Sequence, residues 1–120
     1  MKMYRVLNKD SVKDCAGDFI GMIFKGEETN RGKFNQVKLH TLDGDLYFEL
    51  DEVEEVAEES NHMKLYNKCV YITEELATKE MRLAKLRSYI DGVNDFINID
   101  SLNGLKRQFE LIIKNNIKTY

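Results

Sequence analysis

At 120 residues, with 42% apolar and 32% charged side chains, the chain has room for one domain-sized core and is too apolar to be disordered throughout. No apolar run approaches the roughly 20 residues that cross a bilayer, and Met1-Lys2-Met3-Tyr4-Arg5-Val6-Leu7 lacks the apolar stretch of a signal peptide, so a cytoplasmic protein with no membrane partner is expected. Residues 1–60 hold eight Lys/Arg against fourteen Asp/Glu, and residues 61–120 hold ten against seven, so a single domain 1–120 is expected to have an acidic half and a mildly basic half.

Met3 to Leu7 is short and β-prone and reads as a first strand. Residues 8–18 read as a loop or a helical turn around Val12 and Cys15, followed by a strand at Phe19 to Phe24 and a polar loop from Gly26 to Lys33. Between Asn35 and Leu50 two β-like runs flank Asp43-Gly44, a dipeptide suited to a type I′ hairpin turn. With those two residues as the loop, Leu39 faces Phe48, Val37 faces Leu50 and Lys38 faces Glu49. Val37, Leu39, Leu46, Phe48 and Leu50 then share the packed face, and Lys38, His40, Asp45, Tyr47 and Glu49 share the wet one.

The apolar rhythm changes near residue 63. Leu65, Cys69, Ile72, Leu76, Leu83, Leu86, Ile90, Val93 and Ile97 follow alternating steps of four and three, interrupted by Lys79, as in the seam of a coiled coil. One long helix over 63–97 follows, with a break at Gly92, while the β-rich Cys69-Val70-Tyr71-Ile72 keeps open a strand at 68–72 with the helix starting at Thr73. Asn98 to Asp100 makes a turn, Ser101 serves as N-cap, and Leu102, Leu105, Phe109 and Ile112 carry a second helix over 101–117, supported by Glu110 and Lys114 at i, i+4. The expected fold is therefore α+β, an N-terminal antiparallel sheet or small SH3-like barrel followed by a C-terminal antiparallel helical hairpin. No linker separates the halves, so a shared core or continuous helix is expected.

Chemistry-bearing residues do not form motifs. Cys15, His40, His62 and Cys69 lack the paired spacing of zinc modules, so no metal is expected, and without an export signal the two cysteines are expected to be reduced thiols. Asp43-Gly44-Asp45 is better explained as a turn than as a calcium loop, because Leu46-Tyr47-Phe48 follows where oxygen ligands belong. Gly17, Gly21 and Gly26 are too dispersed to cradle phosphate, and no cofactor or enzymatic activity is expected.

Charge carries the functional reading. Asp43, Asp45, Glu49, Asp51, Glu52, Glu54, Glu55, Glu58 and Glu59 fall in a stretch without a single Lys or Arg, which repels nucleic acid and suits a basic protein partner. The alternative is nucleic-acid or nucleotide binding through Lys79, Arg82, Lys85, Arg87, Lys106 and Arg107, with Lys114 and Lys118 adding to the last helix and with His40 and Tyr47 available for stacking. The absence of Pro and Trp, with abundant Lys, Asn, Ile and Glu, suggests a low-GC bacterium, its phage or a mobile element. The expectation is a small non-catalytic inhibitor or adaptor of a larger host complex, with self-association to a dimer through helices 63–97 and 101–117.

Overall fold

The computed structural model describes residues 1–8, 19–31, 34–75, 78–93 and 98–117. Cys15, the turn expected at 8–18 beyond Asn8, and Leu76, Ile97 and Lys118 lie outside the described residues. The described chain is α+β, an antiparallel five-stranded sheet followed by three helices. It divides into two compact units, Met1–Ala57 and Glu58–Tyr120, near the residue where the apolar rhythm changes.

The first unit contains β1 (Lys2–Val6), β2 (Ile23–Arg31), β3 (Phe34–Thr41), β4 (Gly44–Glu49) and β5 (Val53–Glu55), with a 3₁₀ turn at Leu50–Glu52. The sheet order is β4-β3-β2-β1-β5, every pairing is antiparallel, and the sheet is open rather than closed on itself. Side-chain alternation places Tyr4, Val6, Phe24, Val37, Leu39, Phe48 and Val53 in one buried cluster with Phe19 and Met22. Phe19 and Phe24 meet edge to face with ring centroids 5.8 Å apart.

Four expectations for this unit are corrected, and the first is the strand at Phe19–Phe24, which begins only at Ile23 after a turn. The segment from Gly26 to Arg31 is strand rather than loop, pairing Gly26 with Leu39 and Glu27 with Lys38. Charged strand residues hide a strand from a hydrophobicity reading when one face is wet. The hairpin turn also sits one residue earlier than a type I′ Asp43-Gly44 loop. Thr41 pairs with Gly44, Leu39 with Leu46 and Val37 with Phe48, leaving Leu42 and Asp43 as the turn. Within this hairpin only Gly44 has positive φ, at 93°, as in a turn closed by a glycine bulge. The Thr41 hydroxyl bonds the Gly44 carbonyl at 2.6 Å and accepts from the Asp43 amide at 3.1 Å, which favours this placement. The ladder is displaced by two residues, an even step, so the residues that stay in the ladder keep their packed or wet face. Leu50, expected on the packed face, leaves the ladder and is 46% exposed.

The second unit contains α1 (Asn61–Glu75), α2 (Lys79–Asp91) and α3 (Ile99–Lys114). Residues 68–72 are therefore helix, and the single helix expected over 63–97 is two. The Thr78 hydroxyl accepts from the Met81 amide at 3.2 Å and starts α2 just before Lys79, the residue that interrupted the apolar seam. Gly92 closes α2 by donating to the Ser88 and Tyr89 carbonyls. The cap of α3 is Asn98, whose side chain accepts from the Ser101 amide at 2.8 Å; Ser101 is itself fully buried inside the first turn. At the other end Asn116 takes a left-handed φ of 52° and the Ile117 amide reaches back to the Ile112 carbonyl at 3.0 Å, the pattern of a Schellman stop. The helices pack on one another, with Tyr66 of α1 edge to face against Phe109 of α3 at 5.3 Å.

Candidate functional site

The acidic stretch that is continuous in sequence is divided in the fold. Asp45 and Glu49 lie on β4 and Glu54 and Glu55 on β5, and these are the two opposite edges of the sheet. Asp43 stands at the hairpin turn and Asp51 in the 3₁₀ turn, both exposed. Glu58 and Glu59 are exposed but belong to the second unit.

Several of these carboxylates already have partners. Arg5 approaches Glu54 at 3.4 Å and Lys2 approaches Glu55 at 3.6 Å, because β1 pairs with β5 and brings its cations beside acids fifty residues away. Asp45 meets His40 at 2.5 Å across the β3–β4 ladder, and Glu49 accepts from Gln36 at 3.3 Å. Lys38, expected opposite Glu49, lies instead opposite Tyr47 and pairs with Glu27 on β2 at 3.5 Å.

Glu52 leaves the candidate surface altogether. It is only 4% exposed, and its carboxylate accepts from the Glu49 amide at 2.8 Å, so it holds the 3₁₀ turn together. Its own carbonyl accepts from the Leu7 amide at 2.8 Å. Asp43 and Asp51 remain exposed, with no cation in salt-bridge reach among the described residues.

The basic candidates are also engaged. Lys85 pairs with Glu75 at 2.6 Å, Arg87 with Glu110 at 3.1 Å and Lys106 with Asp91 at 3.5 Å. Lys79 donates to the carbonyl of Lys114 at 3.1 Å, at the electronegative end of α3. Glu110 thus bonds across to α2 rather than along its own helix to Lys114. Arg82 and Arg107 are half-buried and each has an interaction within the molecule.

Potential nucleophiles occupy structural positions. Cys69 is a free thiol with no exposed surface, and burial pushes its pKa up to about 12, which keeps it protonated at neutral pH. His62 Nε2 lies 3.2 Å from Ser101 Oγ, a pairing that composition could not foresee, but Ser101 is wholly buried and the contact ties α1 to α3. Among the described residues no group of three or more His, Cys, Asp or Glu is placed to hold a metal ion. No described helix is long and apolar enough to cross a membrane. Comparison with protein-family models, curated proteins and solved structures gives no match.

The residues that charge counting missed are Lys2 and Arg5. They lie far from the acids in sequence, and only strand pairing reveals them as counter-ions. Alternation of Met3 and Arg5 with Tyr4 and Val6 marks Arg5 as a wet-face residue of β1, but nothing in the sequence names β5 as its neighbour.

Proposed function

We propose that the chain is a non-catalytic protein-binding module whose partner-facing residues are Asp43, at the hairpin turn, and Asp51, past the opposite end of β4 with the exposed Leu50 next to it. The observation that carries this reading is that these two carboxylates are solvated with no ion-pair partner among the described residues, while Glu54 and Glu55 have cationic neighbours and Asp45 is bonded to His40. Exposed carboxylates at the two ends of β4, with an exposed leucine next to one of them, suit a basic protein surface, through steering at long range and a small apolar contact at short range. The five-stranded meander, with a 3₁₀ turn before a fifth strand that returns to β1, supports the finer reading of an SH3-like unit, and the three ties between α2 and α3 support a helical hairpin within the second unit. A cytoplasmic inhibitor or adaptor encoded by a phage or mobile element remains the setting we propose.

Nucleic-acid binding receives less support, because four of its six cations are spent inside the helical unit and a phosphate backbone would have to displace those partners. Self-association has a similar difficulty. The seam residues Leu65, Cys69, Ile72, Leu86 and Ile90 are buried in a single chain.

Charge reversal tests the reading. Tagged wild-type protein is compared with D43K/D51K in capture from a host lysate, and the captured partner is then titrated against both. The variant is expected to lose at least about tenfold in affinity with an unchanged circular dichroism spectrum. Equal affinity would remove the two aspartates from the function. Glu52 is excluded from the substitution because reversing a buried turn residue would unfold the site it is meant to probe.

A further inference from the structure

We propose that α2 is a strap held onto α1 and α3 by ion pairs, and that it opens before the rest of the helical unit when ionic competition weakens them. Its apolar anchorage is small. α1 buries Met63, Leu65, Tyr66, Cys69 and Ile72, and α3 buries Leu105, Phe109, Ile112 and Ile113, whereas α2 buries only Leu86 and Ile90 over thirteen residues. Met81 at its start is 50% exposed.

Charge supplies what apolar burial does not. Lys79 holds the carboxyl end of α3 through the Lys114 carbonyl, Lys85 holds Glu75 of α1, Arg87 holds Glu110 of α3, and Asp91 at the far end holds Lys106 of α3. The ties are spaced along the whole helix from first residue to last. The three charge pairs include side chains 40%, 48% and 69% exposed, so salt reaches them and screens them. Apolar contacts do not weaken with sodium chloride in that way, and α1 and α3 are joined by the buried Tyr66–Phe109 contact and the His62–Ser101 bond. Local opening follows the weakest set of contacts, so ionic strength acts selectively on α2.

Amide hydrogen exchange on the full chain, resolved by mass spectrometry at about 0.05 M and 0.5 M sodium chloride, tests this. Peptides covering 82–91 are expected to exchange at least about tenfold faster than those covering 103–113, and to gain a further factor of about three or more in high salt while 103–113 and the β3–β4 hairpin do not change. The double variant R87A/K106A is expected to reproduce the high-salt rate in low salt and to lose most of the salt response. Unchanged protection over 103–113 serves as the monitor that the helical unit of the variant remains folded. Equal protection of α2 and α3, or an equal response of both to salt, would overturn the proposal, as would a double variant whose α2 keeps the wild-type salt response.

Discussion

Gly26 shows how one position can decide the packing of a strand pair. A Cβ added there would lie 2.5 Å from Leu39 Cδ2 and 2.6 Å from the Lys38 carbonyl oxygen, with the Tyr4 ring at 3.3 Å. The carbonyl belongs to the β2–β3 ladder and cannot swing aside, so the missing side chain lets β3 approach. Gly26→Ala is expected to destabilise the first unit by about 1–3 kcal/mol, read as a lower urea midpoint; an unchanged midpoint would mean that β2 bends freely at this point. The sequence marks Gly26 as a strand boundary, because glycine between Lys25 and Glu27 resembles loop composition. Its actual requirement comes from Leu39 and Lys38, residues on another strand. Tyr4 is similar. Its place on the packed face follows from alternation in β1, but the elevation of its pKa, chiefly by burial and then by Glu28, with Glu55 adding and Lys2 opposing, depends on three strands meeting.

Among the elements, helix existence was legible and helix limits were not. Four-and-three spacing through Leu65, Cys69, Ile72, Leu83, Leu86 and Ile90 selects helix correctly, because it measures a face. It does not register an end at which the face continues, and α1 and α2 use the same phase on either side of Thr78. The cap is a single hydrogen bond to Thr78, a residue type common in any sequence. Thr78→Ala is expected to cost α2 about 1 kcal/mol of helical stability, seen as faster amide exchange over 82–91, while Thr78→Asp retains the wild-type rate. Failure of the alanine variant to accelerate exchange would show that Lys79 and its bond to the Lys114 carbonyl start the helix without the cap. The hairpin illustrates the reverse case. Its faces were readable from alternation, yet its turn was misplaced because Thr41, outside the expected loop, makes the two bonds that favour the earlier turn.

At the scale of the whole molecule, buried acidic hydrogens link stability to alkaline pH. Burial raises the Cys69 thiol from an ordinary value near 9 to about 12, and it also raises Tyr66 and Tyr89, with the neighbouring Cys69 adding to both. The native chain therefore keeps protons that the unfolded chain releases. Stability from Cys69 is complete below pH 9 and falls as pH rises toward 12, by at most about 1.4 kcal/mol per pH unit. Urea unfolding between neutral pH and the alkaline range is expected to show this decline, and Cys69→Ala to make it shallower; an unaltered slope would assign it to the tyrosines. Such coupling was invisible in composition, where Cys69 reads only as a small member of an apolar seam. By itself the sequence determined the α+β class, the change of architecture near residue 60 and the sorting of wet and packed faces, because these depend on periodicities carried by neighbouring residues. Only the tertiary structure decided which acids are neutralised, which are buried and which face solvent. Those outcomes depend on β1 lying beside β5 and α2 beside α3, pairings between distant segments that local spacing does not encode.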